Sequence, residues 1–306
     1  MLSLPAGLVG RDFDYGETFV SPEAIARYAD MVGDAETLRA LADGSDLAPP
    51  TFCLSLHRGM RPEVQLPPDV FGVYGGHDLE FARPVRAGRK YRISARVTGV
   101  FEKSGRSGPM AIVSREATIR GENDEVIVRL KERQIVRRRP ANPDAIGPRR
   151  AVEPEPTANA AVSFATHKVA PGEIELGAEI GPLLRPATTA EQVAKYVVGG
   201  EMKEALFTDL DQARNLGYRG IVVPGPMLTA FLEHFLRATL PGWRLERLST
   251  TFRIPTITGD PIHLSGVISE HHDTVHDSHI VCDLVAGNPS GENAVTASAR
   301  LRNSEF

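Results

Sequence analysis

A histidine beside a carboxylate is the plainest candidate for proton-transfer chemistry in this chain. His77 precedes Asp78 in the segment Gly75-Gly-His-Asp-Leu-Glu-Phe81. A histidine titrates near neutral pH, so it can act as a general acid or base, and a neighbouring carboxylate can orient it. Consecutive strand residues point to opposite faces, so we do not expect these two side chains to form a dyad. A buried, hydrogen-bonded histidine is the alternative interpretation of His77.

The elements that must position such residues occur twice. Residues 21–28 resemble residues 189–196, and each segment begins with a hydroxyl residue suited to cap a helix. Residues 79–84 resemble residues 250–255 in the same way. The offsets, 168 and 171, are nearly equal, which indicates an internal repeat.

Each copy has the same order of elements: a short helix, an irregular stretch, a longer apolar helix and four strands. The second long helix, predicted over residues 227–240, is apolar nearly all round and must be largely buried. Its four strands are predicted over residues 244–254, 261–269, 278–285 and 293–301, where apolar and polar residues alternate in part. This order predicts an α+β fold in which antiparallel strands wrap around a buried helix.

A stretch rich in proline and charge separates the two copies, which is typical of a linker. We therefore predict a first domain over residues 1–138, a linker over 139–160 and a second domain over 161–306. The chain has 306 residues with a net charge of −4, which disfavours nucleic acid as a partner. We found no membrane span, signal peptide, disulfide framework or nucleotide-binding motif, and we expect a cytoplasmic protein without a cofactor.

A histidine-rich stretch, residues 270–279, holds four histidines and two aspartates. Histidine and carboxylate side chains can bind zinc or nickel. The repeat places this stretch at a hairpin that joins two strands, so we interpret it as a solvated turn and assign no metal ligands.

The residues now point to a family. Residues 48–52, Gly75-Gly76 and residues 81–88 resemble the amino-terminal domain of the MaoC-like enoyl-thioester hydratases and hydroxyacyl-thioester dehydratases. Residues 209–227 and 252–260 resemble the segments around that family's active site. The resemblance implies a fused double hot-dog fold, with two antiparallel sheets that each wrap around a long buried helix. It also implies a substrate that is an enoyl or 3-hydroxyacyl thioester of CoA or of a carrier protein.

The chain departs from the family's catalytic pattern. An acid and a histidine five residues later usually share one water, but Met202 and Phe207 occupy these positions here. Pro224 replaces a further histidine. Prolines have no N–H, so Gly225 and Met227 are the nearest donors for a thioester oxyanion. We therefore assign Pro224, Gly225, Met227, Phe207 and Met202 to substrate binding.

Other residues could supply the missing proton transfer. Glu201 and Glu204 flank the altered positions, and Asp209 remains. A carboxyl that is desolvated in an acyl pocket can have a raised pKa and work near neutral pH. Solvated loop acids, and a cap of the following short helix for Asp209, are the alternatives. His77 is the fourth catalytic candidate.

Two functions follow from this interpretation. The first is a hydratase or dehydratase with a rebuilt acid–base site. The second is a protein that binds acyl thioesters without processing them, or a subunit of a hydratase complex. In either case we expect a homodimer or higher homo-oligomer.

Overall fold

The computed structural model shows one large antiparallel sheet packed against helices. It describes residues 2, 4, 6–56, 70–105, 108–138, 169, 173–200, 202, 204–274 and 277–304. The strands are β1 (Asp12–Val20), β2 (Val70–Phe81), β3 (Arg89–Gly105), β4 (Gly108–Arg120), β5 (Val126–Arg138), β6 (Glu179–Arg185), β7 (Trp243–Phe252), β8 (Ile262–Asp273), β9 (Ser278–Gly287) and β10 (Asn293–Asn303). The helices are α1 (Pro22–Val32), α2 (Ala35–Ala42), α3 (Cys53–Leu56), α4 (Ala190–Gly199), α5 (Leu210–Asn215) and α6 (Gly225–Thr239), with single 3₁₀ turns at Pro50–Phe52 and Ala205–Phe207.

The strand order is β1-β3-β4-β5-β2-β7-β10-β9-β8-β6. The same order of strands thus runs inward from both edges, as an internal repeat requires. Strands β2 and β7 pair antiparallel in the middle, from Gly76 opposite Thr251 to Glu80 opposite Arg247. The predicted pair of separate sheets is therefore wrong in one respect: backbone hydrogen bonds between β2 and β7 join the strands into one ten-stranded sheet. The predicted linker over residues 139–160 lies outside the described residues.

Glycine permits the close approach of β2 and β7. Gly76 has φ +150°, and a Cβ added there would lie 2.3 Å from the carbonyl oxygen of Thr250. A side chain at this position would therefore force the two central strands apart.

The capping residues identified in the sequence lie at the starts of α1 and α4, as predicted. The Ser21 hydroxyl accepts a hydrogen bond from the backbone N–H of Ala24 at the start of α1. At the start of α4, Thr189 and Gln192 cap each other's backbone N–H groups. These two reciprocal bonds form a capping box, which the sequence around Thr189 favours.

Helix α6 is the buried helix of the second half, and it packs on β6, β7 and β9. Most of its side chains are buried, which confirms the prediction from its apolar surface. In the first half, α3 directly follows the 3₁₀ turn Pro50–Phe52, and residues 57–69 lie outside the described residues. Among the helices described, none is both long and apolar enough to cross a membrane.

Candidate active site

The two positions that usually carry the acid and the histidine hold packed apolar side chains. Met202 and Phe207 are half-buried and both pack against the main core. Phe207 also contacts a smaller core cluster that includes Phe71 and Leu206. Neither side chain has a proton to transfer, so no chemistry is available at these positions.

The loop acids have different placements. Glu201 lies outside the described residues, and Glu204 is an exposed residue directly before the 3₁₀ turn Ala205–Phe207. Asp209 is exposed and caps α5, because its Oδ1 accepts hydrogen bonds from the N–H groups of Asp211 at 2.9 Å and Gln212 at 3.0 Å. The capping alternative raised for Asp209 is therefore what the structure shows, whereas its catalytic role stays a prediction.

His77 is fully buried on β2, where it lies between two aromatic rings. Its ring centroid is 5.6 Å from that of Tyr74 and 5.7 Å from that of Phe252, and the two flanking rings are 5.8 Å apart. Tyr74 and Phe252 are half-exposed. Two aromatic side chains thus separate the imidazole from solvent.

A β-bulge explains why Tyr74 and His77 share one face of the sheet. The register between β2 and β5 shifts between Tyr74 and Gly76, so Tyr74 lies opposite Gln134 and His77 lies opposite Glu132. The extra residue in β2 breaks the usual alternation, and side chains three positions apart then point the same way. The sequence analysis missed this pair because a regular strand would separate them.

Asp78 points away from His77, as expected for consecutive strand residues. Its carboxylate accepts hydrogen bonds from Arg133 and from the hydroxyl of Ser249. Arg133 also donates to the carbonyl oxygen of Thr250 at 3.1 Å. Asp78 therefore helps to join β2 and β7, and it does not form a dyad with His77.

On the side of β5 and β4, the cross-strand neighbours of His77 are charged. Glu132 on β5 lies opposite His77, and Arg115 on β4 lies opposite Glu132. Directly opposed residues in antiparallel strands share a face, so these three side chains form a row. This is the buried face of the sheet, because Leu79, two residues from His77, belongs to the main core. The sequence analysis did not single out Arg115 or Glu132.

The row contains a buried ion pair with two tyrosine partners. Arg115 and Glu132 are each 2% exposed, and the Arg115 Nε lies 2.8 Å from the Glu132 Oε2. The Tyr74 hydroxyl donates to the other oxygen of Glu132, and Arg115 donates to the Tyr15 hydroxyl at 2.8 Å. Burial, together with the charge of Glu132, raises the pKa of Tyr74 well above its ordinary value. Tyr74 therefore stays protonated and can act as a hydrogen-bond donor.

The start of α6 lies against the same aromatic group. A Cβ added to Gly225 would lie 2.8 Å from the ring of Phe252, which is the ring that contacts His77. A helix N-terminus carries partial positive charge and attracts developing negative charge. Met227 is less suited to this role than predicted, because its N–H donates to the carbonyl oxygen of Pro224 at 3.0 Å. Gly225 remains the proposed oxyanion donor.

A second buried polar cluster ties the first half to α6. Asp34 at the start of α2 forms an ion pair with Arg237, and its Oδ1 lies 3.6 Å from the His234 Nε2. Glu233 accepts hydrogen bonds from Arg237 at 3.0 Å and from the Thr51 hydroxyl at 3.1 Å. His234 and Asp34 are 200 positions apart in the sequence, so the sequence pattern does not indicate that they are neighbours.

Burial and charge act against each other in this cluster. Burial alone would raise the pKa of Asp34, but the charges of Arg237 and His234 and hydrogen bonds from Thr37 leave it lowered. Burial raises the pKa of Glu233 despite Arg237. Burial also lowers the pKa of His234 to about 4, although Asp34 acts against this. We interpret the cluster as a structural tie, because Asp34, Glu233 and His234 are all at most 4% exposed.

Comparison with known proteins gives sequence matches that cover part of the chain. The family model described as "FAS1-like, dehydratase domain region" matches residues 7–130. A UPF0336 protein of Streptomyces griseus is 28% identical over 149 residues, which cover 44% of this chain and 97% of that protein. A UPF0336 protein of Streptomyces coelicolor is 29% identical over 117 residues, which cover 34% of this chain and 78% of that protein.

Solved structures match the chain over nearly its whole length. A MaoC-like dehydratase superposes with a TM-score of 0.74 at 18% identity, covering 97% of this chain and 99% of that one. A Mycobacterium tuberculosis protein described as having a double hot-dog fold superposes with a TM-score of 0.66 at 16% identity, covering 96% of each chain. These structures establish the hot-dog fold. Together with the family model, they confirm that this chain resembles the MaoC-like dehydratases.

Proposed function

We propose that this protein is a hydratase or dehydratase of acyl thioesters whose proton-transfer site is built around His77. The observation that carries the proposal is the position of a buried imidazole between Tyr74 and Phe252, with Phe252 also against the start of α6 at Gly225. The match to a dehydratase-region model over residues 7–130 supports the reaction type.

The proposed reaction adds one water across the C2–C3 double bond of an enoyl thioester, or removes it in reverse. The imidazole of His77 takes a proton from water as the oxygen bonds to C3, and the imidazolium then gives that proton to C2. Negative charge collects on the thioester oxygen meanwhile, and the N–H of Gly225 stabilises it. One imidazole thus acts first as base and then as acid. The proton taken from water is delivered to C2, so the reaction needs no catalytic carboxylate.

The charged row has a supporting role in this proposal. Glu132 is held by Arg115, and it accepts the hydrogen bond of Tyr74. This fixes the tyrosine ring beside His77. Because His77 is fully buried and Tyr74 is held by Glu132, the partly exposed side chain of Phe252 must turn aside when the acyl group binds.

The proposal also covers the group that carries the acyl chain and the number of chains in the assembly. The substrate is a thioester of CoA or of an acyl carrier protein. We propose a cytoplasmic location. We also propose a homodimer or higher homo-oligomer, because strands β1 and β6 form the two open edges of the sheet and edge strands readily pair.

The test uses the variant His77→Gln. Glutamine is close to histidine in size and can form hydrogen bonds, but it cannot transfer a proton at neutral pH. Purified protein is mixed with a panel of enoyl-CoA esters, and the loss of the conjugated thioester absorbance is followed. We expect the variant to bind the ester as the unaltered protein does, while kcat falls by ~100-fold or more.

Two matched variants serve as controls for this test. Asp209→Asn and Glu204→Gln alter the exposed loop acids and should leave kcat within about threefold. Loss of turnover in either control, with full activity in His77→Gln, would place the chemistry in the loop and reject the role of His77.

A second candidate function is an acyl-thioester-binding protein without activity of its own. The apolar packing of Met202 and Phe207, at the positions where the family has its acid and histidine, favours it. Saturable binding of CoA esters by the unaltered protein, with no turnover across the whole panel, would select this function over the enzyme.

A further inference from the structure

A further group of titratable side chains lies close together at the end of the β8–β9 hairpin. The imidazole nitrogens of His272 and His279 and a carboxylate oxygen of Asp277 all lie within 4.8 Å of one another. Strand β8 extends to Asp273, four residues beyond its predicted end, so His272 lies in a strand and not in a solvated turn. The structure thus changes the interpretation of this histidine-rich stretch.

The backbone register brings the two histidines together. His272 and His279 are directly opposed in the β8–β9 pair, and their rings stack with centroids 4.8 Å apart at an interplanar angle of 30°. Directly opposed residues of antiparallel strands have neighbouring Cβ atoms on one face. The sheet backbone therefore fixes the spacing of the two imidazoles.

Asp277 supplies the third group. Its Oδ2 lies 3.0 Å from the Nδ1 of His279. Ligand atoms that surround a tetrahedral ion at 2.0–2.1 Å are about 3.3 Å apart, so this separation already matches one edge of such a site. The second oxygen, Oδ1, lies 3.0 Å from Arg302, whose charge is also balanced by Glu246 at 2.6 Å. One carboxylate oxygen is thus engaged by Arg302, while the other faces the histidines.

We propose that His272, Asp277 and His279 bind a divalent first-row transition ion such as Zn²⁺ at the tip of the hairpin. Two imidazoles and one carboxylate form a ligand set that favours such ions over Mg²⁺ or Ca²⁺, which prefer oxygen ligands alone. Small side-chain rotations close the site, because His272 is exposed and free to turn. The bound ion cross-links the ends of β8 and β9, and its remaining positions are filled by water.

The experiment titrates the full-length, untagged chain with ZnCl₂ against a chromophoric chelator. We expect one tight site per chain, and at least ~10-fold weaker binding in each of His272→Ala, His279→Ala and Asp277→Asn. His271→Ala is the matched control, because this exposed neighbour on β8 is not in the cluster and its loss should leave the affinity unchanged. A thermal melt without zinc verifies that each variant is folded.

Two results would overturn the proposal. One is zinc binding of unaltered affinity in the double variant His272→Ala/His279→Ala. The other is an equal decrease in affinity in His271→Ala, which would indicate diffuse binding by surface histidines. A melting temperature that rises with ZnCl₂ in the unaltered chain but not in the double variant would support the cross-link independently.

Discussion

At the scale of single residues, the pairing of charged side chains on the buried face is the feature that the sequence pattern could not predict. Arg115 and Glu132 stand among alternating apolar residues of β4 and β5, which is the signal that could have indicated them. Their partnership depends on cross-strand register, and Tyr74 joins them through a bulge. The positions of Met202 and Phe207 could be identified from the sequence, because the resemblance to the family allows them to be counted back from Asp209.

The buried ion pair leads to a prediction about stability. In Arg115→Met, Glu132 would remain buried without its cation, so we expect the free energy of unfolding to fall by about 3–5 kcal/mol. Arg92→Met removes the exposed partner of Asp14 in the same sheet and should leave the urea midpoint almost unchanged. Urea denaturation of both variants measures the difference in their free energies of unfolding. Similar midpoints would contradict the expectation that the buried ion pair contributes more than the exposed one.

At the scale of elements, the residue pattern within each segment predicted helices and strands, but it did not predict which distant strands pair. The caps at Ser21 and Thr189, the four strands of the second half and the buried α6 all follow from residue types and periodicity within each segment. The pairing of β2 with β7 joins residues about 170 positions apart, and periodicity carries no information about such a partner. Gly76 marks this contact, but a glycine alone does not identify what approaches it.

The contact between the central strands gives a second prediction. Gly76→Ala places a methyl group 2.3 Å from the Thr250 carbonyl oxygen in a backbone conformation that favours glycine, so we expect a loss of about 1–3 kcal/mol of stability. Gly99→Ala is the matched control, since its added Cβ would contact only the ring of Phe101, at 3.4 Å. Thermal melts of both variants test the expectation, and an unchanged melting temperature in Gly76→Ala would refute the close approach.

At the scale of the whole molecule, buried polar groups connect the first half to the central helix of the second. Asp34 and Thr51 precede the predicted linker, whereas Glu233, His234 and Arg237 belong to α6. A buried charge without its partner costs far more than an exposed one. Each half thus has buried polar groups whose hydrogen bonds and ion pairs are completed by the other half.

This cluster predicts how stability depends on pH. The pKa of His234 is about 4 in the folded chain, against an ordinary value of 6.5. Below pH 6.5 the unfolded chain binds more protons at this position, so stability is lost as the pH falls from 6.5 towards 4. At pH 5 the loss is about 2 kcal/mol relative to pH 7.5. His234→Gln should remove that part of the pH dependence.

The measurement is urea denaturation of the unaltered chain and of His234→Gln at pH 7.5 and pH 5. Asp34, with its lowered pKa, adds to the loss at acid pH, whereas Glu233, with its raised pKa, opposes it. Both groups are present in the two proteins, so the difference between them belongs to His234 and to its interaction with Asp34. Equal pH dependence in the two proteins would show that this histidine ionises normally.

The buried polar cluster on α6 also affects how the two copies within a duplicated chain can diverge. In a pairing of two identical second halves, Arg237 would have no Asp34 and Glu233 would have no Thr51, since both belong to the first half. In such a pairing, Arg237 and Glu233 would keep only each other as charged partners. The two halves therefore differ in the buried polar groups that they present to each other, and one half cannot take the place of the other.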